Sequence, residues 1–227
     1  MSGPATFVLV HGAWRGGWMW RRVSDLLQAQ GHRVFAPTLT GLGEKSHLIS
    51  PAVNLTTHIT DVVNLVTWED LDRIVLVGHS YGGAVITGVA EKIEKKIASI
   101  VYLDAFIPKD GDAVQDIAPR KPAPGDITPA PPGASFRVNE RDREWADAKT
   151  TPQPNGTFTE KLRVTGAYRR IPKRGYIFCT VYNAPHFRAY YEACKATPGW
   201  QVREIATGHD AMLDDPAGTA RLLTELA

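Results

Sequence analysis

The segment Gly78-His79-Ser80-Tyr81-Gly82 is the feature of the sequence that most directly indicates chemistry. It follows an apolar run typical of a buried strand and precedes a run with helical period, so Ser80 stands on a tight turn between the two. Glycine two positions before and two positions after the serine lets the backbone pass close to itself there. Such a turn exposes a serine hydroxyl for nucleophilic attack, which predicts acyl transfer with Ser80 as the nucleophile.

A serine hydroxyl is a poor nucleophile until a base accepts its proton, and His209 is the predicted base. It lies in the segment 207–210, between the last predicted strand and the last predicted helix, where open α/β sheets place catalytic loops. We expect activity to rise with pH as His209 loses its proton, with a midpoint within about one unit of pH 6.5. His11 and His79 are the nearest alternatives, but each lies in a tight turn where a structural role accounts for it. The remaining histidines are predicted to be solvated or packed: His32, His47, His58 and His186.

A second glycine-rich turn, in residues 11–18, follows the first predicted strand. The backbone N–H of Ala13 and that of Tyr81 are predicted to form an oxyanion hole, the latter helped by the helix N-terminus. Trp14, Tyr81 and Phe106 are expected walls of the substrate pocket. Trp145 could also reach it, although packing within its own segment explains it more simply. The turn does not match a dinucleotide-binding loop, because it lacks Gly-x-Gly-x-x-Gly and no acidic residue ends the second strand.

Short apolar runs alternate with helical patterns along the chain, and these are the elements that must position the candidate residues. Apolar stripes in the predicted helices begin at Trp20 and at Leu55. The fold class that follows is α/β, a doubly wound, mostly parallel sheet of about six strands. The predicted strands are residues 7–10, 33–36, 73–77, 97–103, 176–180 and 201–206, and further helices are predicted at 82–95, 187–196 and 216–226.

Residues 107–174 interrupt this alternation. Six of the 16 prolines lie between Pro119 and Pro132, and a charged segment follows at 137–149. We interpret the chain as a single domain, 1–227, in which 107–174 is a lid inserted after the fourth strand over the carboxyl edge of the sheet. A linker between two domains is the alternative, but neither side could close a sheet alone.

Composition limits the partners. Lys and Arg total 26 against 24 for Asp and Glu, so the net charge is only +2, which argues against nucleic acid or an anionic membrane as the partner. No signal peptide or membrane-spanning helix is predicted. Two cysteines, Cys179 and Cys194, are too few for a disulfide scaffold or a zinc site, so we expect free thiols, a cytoplasmic location and no metal. The oligomeric state cannot be read from the sequence.

Together these motifs resemble the α/β-hydrolase superfamily, in particular small plant methylesterase and hydroxynitrile lyase-like proteins and bacterial esterases of similar length. The resemblance covers nearly the whole chain. It implies an esterase-like enzyme without a cofactor, with Ser80 as nucleophile, His209 as base, and Ala13 and Tyr81 as oxyanion donors. The segments that carry the resemblance are 11–20, 78–83, 101–108 and 208–212.

The acid of the triad departs from the plant pattern. Those enzymes place it in the loop after the next-to-last strand, and residues 180–187 contain no Asp or Glu here. In this fold the acid lies between the serine and the histidine in the chain. Asp104 ends the strand beside the one that leads to Ser80, where a carboxylate can reach the imidazole. The other acidic residues fall in the insertion, a helix or a strand interior. Asp104 is therefore the predicted acid, and capping of the following loop is its alternative role.

The predicted activity is hydrolysis of a small, largely apolar carboxylic ester through an acyl-enzyme on Ser80. Two alternatives remain open from the sequence. A hydroxynitrile lyase-like reaction would use the same triad, but Asp210 beside His209 would repel a leaving cyanide. A ligand receptor could keep the fold and triad with negligible turnover, and steady-state turnover of p-nitrophenyl esters would distinguish it from an enzyme.

Overall fold

The computed structural model describes residues 3–227 and contains one six-stranded sheet in which every neighbouring pair of strands is parallel. Its strands are β1 (Thr6–Val10), β2 (Arg33–Phe35), β3 (Ile74–His79), β4 (Ile97–Leu103), β7 (Lys173–Cys179) and β8 (Trp200–Ile205). Their spatial order is β2-β1-β3-β4-β7-β8, which is doubly wound, with crossovers in both directions from β1. The predicted fold class is confirmed.

Helices cover both faces of the sheet, which is why β1 and β3 are apolar and buried nearly throughout. The longer helices are α1 (Arg21–Ala29), α2 (Leu55–Trp68), α3 (Gly82–Ile93), α7 (Pro185–Lys195) and α9 (Pro216–Glu225), and the short ones are α4 (Val114–Ile117), α5 (Glu140–Asp147), α6 (Gly156–Thr159) and α8 (Ala211–Asp214). One buried cluster lies beneath α2, α3 and α7, and the other beneath α1 and α9.

Local sequence accounts for where these helices begin and end. Asn54 caps α2, because its side-chain oxygen accepts the backbone N–H of Thr57 at 2.9 Å. Gly31 follows α1 with a φ of +86°, a conformation that glycine adopts without strain. No helix within residues 3–227 is both long and apolar enough to cross a membrane.

The insertion between β4 and β7 has little regular structure of its own. It contains α4, α5, α6 and a two-stranded antiparallel sheet of β5 (Ile127–Thr128) and β6 (Gln153–Pro154). Because β7 begins at Lys173, the last two residues of the predicted 107–174 insertion belong to the main sheet. An ion pair joins α5 to α1, since Asp142 accepts two hydrogen bonds from Arg22, at 2.7 and 2.9 Å. This ion pair attaches the insertion to a helix that packs on the main sheet.

Candidate active site

Ser80 lies on the turn between β3 and α3, and its backbone has a φ of +53°. A Cβ added at Gly78 would lie 2.6 Å from the carbonyl oxygen of Gly82, and one added at Gly82 would lie 2.7 Å from that of His11. Both glycines are therefore required by close backbone approach. The strained serine is held from the next strand, because its N–H donates to the carbonyl oxygen of Leu103 at 3.2 Å.

His209 and Asp104 form a buried hydrogen-bonded pair. Nδ1 of His209 and Oδ2 of Asp104 are 2.6 Å apart, although the residues are 105 positions apart in the chain. The other carboxylate oxygen, Oδ1, accepts the backbone N–H of Cys179 at 3.2 Å. Asp104 follows β4 directly, at the carboxyl edge of the sheet where the sequence placed it. Since Nδ1 is occupied, Nε2 is the nitrogen that remains to accept a proton from Ser80, which lines the same cavity.

Burial opposes charge on both members of this pair. Desolvation lowers the pKa of His209 to about 4, and desolvation raises the pKa of Asp104 to about 8, with the Cys179 N–H acting in the opposite direction. Groups only 2.6 Å apart share one proton and titrate as a unit. The form that can act as a general base has Asp104 ionised, Nδ1 protonated and Nε2 free.

We expect kcat/KM for an uncharged ester to rise with pH, with its midpoint between pH 4 and 8. Acid adds a proton that occupies Nε2 or Asp104, so the rate falls on acidification. Circular dichroism must accompany the assay, because burial lowers the pKa of His11 and of His79 to about 3. Below about pH 6.5 the unfolded chain takes up protons at these histidines, whereas the native chain does not. The stability of the fold therefore decreases as the pH is lowered through that range. A kcat/KM that does not change between pH 4 and 8, measured in folded protein, would contradict a histidine base.

The predicted oxyanion donors, Ala13 and Tyr81, line the same cavity as Ser80. The N–H groups of Ala13 and Tyr81 have no hydrogen-bond partner among residues 3–227, so both are available to an oxyanion. The loop that carries Ala13 is held by the insertion, because Gln153 accepts the N–H of Trp14 at 2.8 Å. The indole N–H of Trp14 also donates to the carbonyl oxygen of Thr128, at 3.2 Å. The insertion therefore contributes to the geometry of the loop that carries Ala13, and residues of it such as Phe136 and Phe158 also line the cavity.

A cavity of about 440 Å³ opens beside Ser80; aromatic side chains form a large part of its wall, which also includes the charged residues Arg120 and Lys121. Trp14, Tyr81 and Phe106 line it, as the sequence analysis expected. Trp145 does not, because its ring packs edge-on against Trp18, at 5.1 Å between ring centroids. Sequence reasoning missed the following aromatic walls: Phe136, Phe158, Tyr182, His186 and Phe187. They come from loops and helix ends with no period or motif to mark them.

Two of these walls border the candidate catalytic histidine. Phe187 stacks on His209 with ring centroids 5.1 Å apart and an interplanar angle of 13°, and Phe136 covers it at 5.6 Å. His186, which we predicted to be solvated or packed, is packed: its ring stacks on Phe106 with centroids 5.5 Å apart, and it lines the cavity. Burial lowers the pKa of His186 to about 4, so this wall is uncharged at neutral pH.

The other buried histidines have structural contacts. His11 accepts the N–H of Leu39 through Nε2 at 3.0 Å, which joins two turns. His58 lies between the hydroxyl of Tyr81 and the carbonyl oxygen of Thr40, each 2.9 Å away. No cluster of three or more metal-ligating side chains occurs in the part of the chain that the structure describes.

Asp210 corrects one step of the sequence argument. Its carboxylate is fully buried and pairs with the guanidinium of Arg15 at 2.9 Å. The charge beside His209 is therefore balanced, and repulsion by Asp210 no longer counts against a lyase reaction.

Comparison with known proteins agrees with this fold. The family model described as the alpha/beta hydrolase family matches residues 7–222, so the chain belongs to the α/β-hydrolase family. Over 98% of this chain and 99% of the other, it is 39% identical to a carbendazim hydrolyzing esterase from Nocardioides sp. (strain SG-4G). It is also 39% identical to salicylic acid-binding protein 2 from Nicotiana tabacum, over 45% of this chain and 40% of that one. The predicted carboxylesterase-type enzyme is thus confirmed, with small-molecule esters as its substrates.

Solved structures show the same fold over the whole chain. An extracellular α/β-hydrolase from a Paenibacillus species superimposes with a TM-score of 0.84 at 24% identity, covering 99% of both chains. A pyrethroid hydrolase from Sphingobium faniae JZ-2 gives 0.78 at 22% identity, covering 98% of this chain and 97% of the other. At these identities the likeness shows the fold alone.

Proposed function

We propose that this esterase hydrolyses methyl esters or methyl carbamates whose acyl part carries a planar aromatic ring, with Ser80, His209 and Asp104 as its catalytic residues. The observation that carries the substrate class is the aromatic cavity of about 440 Å³ beside Ser80. Two pairs of rings in its wall are stacked, Phe106 on His186 at an angle of 11° and Phe187 on His209 at 13°, and flat faces of this kind favour a flat ligand.

In acylation, Oγ of Ser80 attacks the ester carbonyl carbon while Nε2 of His209 accepts the serine proton. Asp104, hydrogen-bonded to Nδ1, stabilises the imidazolium that forms. The carbonyl oxygen becomes an oxyanion and accepts the N–H groups of Ala13 and Tyr81. The imidazolium then gives its proton to the leaving alkoxide, which departs as methanol.

In deacylation, His209 accepts a proton from a water molecule that attacks the acyl carbon. The second oxyanion uses the same two N–H donors, and its collapse returns the proton to Oγ of Ser80 and releases the acid. Water should reach the site only as the attacking molecule of this step. The rings of Phe136 and Phe187 pack over His209 and keep bulk solvent from the imidazole.

The relatives support the same substrate class. Carbendazim, in the name of the Nocardioides esterase, is a methyl carbamate of a planar benzimidazole. Methylesterase 1 from Arabidopsis thaliana, 37% identical over 45% of this chain, carries methyl ester hydrolysis in its name.

Methanol release from a substrate panel tests the proposal. We expect steady turnover of carbendazim or of methyl esters of aromatic acids, and kcat/KM at least about tenfold lower for the butyl esters of the same acids. Trp68→Ala, which changes an exposed ring at the end of α2, should turn over the panel at the wild-type rate. A single stoichiometric burst would identify a receptor that binds without turnover, and equal rates for methyl and butyl esters would contradict the small-alcohol preference.

A cytoplasmic location is a further part of the proposal. Its support is that Cys179 and Cys194 are both free thiols, as is usual in reducing compartments.

A further inference from the structure

Arg15 and Asp210 form an ion pair that is almost completely buried, with 3% and 2% of their side chains exposed. Nη2 of Arg15 donates to Oδ2 of Asp210 at 2.9 Å. A buried pair of opposite charges is expensive to desolvate and is often no more stabilising than apolar residues of the same volume. Stability alone is therefore a poor explanation for a pair in this position.

The pair joins the loop that carries the predicted oxyanion donor Ala13 to the loop that carries His209. Arg15 lies two residues after the oxyanion donor Ala13, and Asp210 directly follows His209. The loop of His209 is also held by the residue before Ser80, because Nε2 of His79 donates to the carbonyl oxygen of His209 at 3.0 Å. It is also held by the insertion, because the N–H of His209 donates to the carbonyl oxygen of Phe136 at 2.9 Å.

Arg15 and Asp210 also border the reacting side chains directly. A cavity of about 10 Å³, room for one water molecule, is lined by both residues together with Ser80 and His209. Nη1 of Arg15 and Nδ1 of His79 are buried, with no partner among the residues that the structure describes. Neither Arg15 nor Asp210 lines the larger cavity proposed to take the substrate.

We propose that Arg15 and Asp210 are positioning residues that tie the oxyanion loop to the loop of His209 and set the charge next to the imidazole. The inference rests on the proposed role of His209 as base. Changes at this pair should affect the base and not substrate binding, because the pair lies next to His209 and does not line the larger cavity.

Charge balance around His209 gives the proposal a readout that a purely structural role would not move. Asp210 favours the imidazolium and Arg15 opposes it. Burial keeps His79 neutral with a pKa of about 3 and lowers the pKa of His186 to about 4. The titratable or charged groups that face His209 from the elements packed around it are Asp104, Asp210, Arg15, His79, His186 and Tyr182.

The test is the pH profile of kcat/KM for Asp210→Asn, with a methyl ester as substrate and methanol release as the signal. Arginine stays charged at all accessible pH values, so the variant leaves one uncompensated cation near His209. We expect the midpoint to move to lower pH by at least about half a unit, kcat to fall about 10- to 100-fold, and KM to stay within about twofold.

The double variant Arg15→Gln with Asp210→Asn removes both charges of the pair and tests the proposal even where Asp210→Asn folds poorly. Its midpoint should return toward the wild-type value while kcat stays at least about tenfold low, because the charge bias is gone but the ionic tie between the loops is lost. Wild-type kcat in the double variant would overturn the positioning role.

Asp142→Asn is the matched control, since it breaks the Arg22–Asp142 ion pair, which lies away from Ser80 and lines neither cavity. It should lower the unfolding temperature without moving the pH midpoint. An unmoved midpoint in folded Asp210→Asn, or a midpoint that moves equally in Asp142→Asn, would overturn the inference. Loss of the proposed function itself would show differently, as activity retained by Ser80→Ala.

Discussion

Replacing Ser80 by alanine is expected to lower kcat on a methyl ester by a factor of about 10⁴ to 10⁶. Without Oγ there is no acyl-enzyme, and water must attack the bound ester with only the oxyanion donors to help. The backbone of Ser80 has a φ of +53°, so alanine carries the same strain and the fold should persist. The measurement is single-substrate kinetics together with thermal unfolding.

Ser50→Ala is the matched control for this experiment, because Ser50 lines neither of the cavities that Ser80 lines. It should keep wild-type turnover. An organophosphonate should label the wild-type chain once, at Ser80, by peptide mapping. More than about a tenth of the wild-type rate in Ser80→Ala would exclude the serine mechanism.

Asp104→Asn is expected to lower kcat by about 10⁴, the size of the loss when the buried triad aspartate of a serine protease is changed to asparagine. In the variant the amide oxygen keeps the hydrogen bond from the Cys179 N–H, so the NH2 group faces Nδ1 and donates to it. His209 is then held in the wrong tautomer, and no carboxylate stabilises an imidazolium. Stability should not fall, because burial already raises the pKa of Asp104 to about 8 and ionising it at higher pH opposes folding. Steady-state kinetics and thermal unfolding of the variant measure the two effects.

Two acidic residues from elsewhere in the chain serve as controls for Asp104. Asp110 accepts the N–H of Val164 at 3.0 Å in the insertion, and Glu192 lies on the exposed side of α7. Asp110→Asn and Glu192→Gln should retain near-normal turnover. If Asp104→Asn stayed active while one of these lost activity, the acid would have to be reassigned. His209→Ala combined with Ser80→Ala should lose no more than either alone, since each removes the same mechanism.

Much of the fold and of the candidate reacting centre was predictable because it depends on short-range patterns. Apolar strands covered on both faces, helical stripes and the paired glycines around Ser80 are visible within about ten residues of sequence. Asp104 and His209 are far apart in the chain, but both follow strands. Parallel strands bring their carboxyl ends to one edge of a sheet, so even this long-range contact could be inferred.

The pocket walls and the buried ion pair were not predictable in the same way. Phe158 and Phe187 come from the insertion and a helix end, where no period relates a side chain to the surface it faces. His186 was expected to be solvated or packed, and only the structure shows that it packs on Phe106 in the wall of the cavity. Asp210 was recognised as a charge beside the base, but its partner lies 195 positions away, on a loop with no acidic or basic pattern of its own.

By itself, then, the sequence determined the parallel sheet, the serine turn and the order of the candidate catalytic residues, because backbone sterics and hydrophobic period act locally and strand ends converge by rule. Only the tertiary structure decided the shape of the aromatic cavity, the hold of the insertion on Trp14, and the neutralisation of Asp210 by Arg15. Those features depend on which irregular loops pack together. Close packing of side chains from distant segments settles that choice, and no local pattern of residues encodes it.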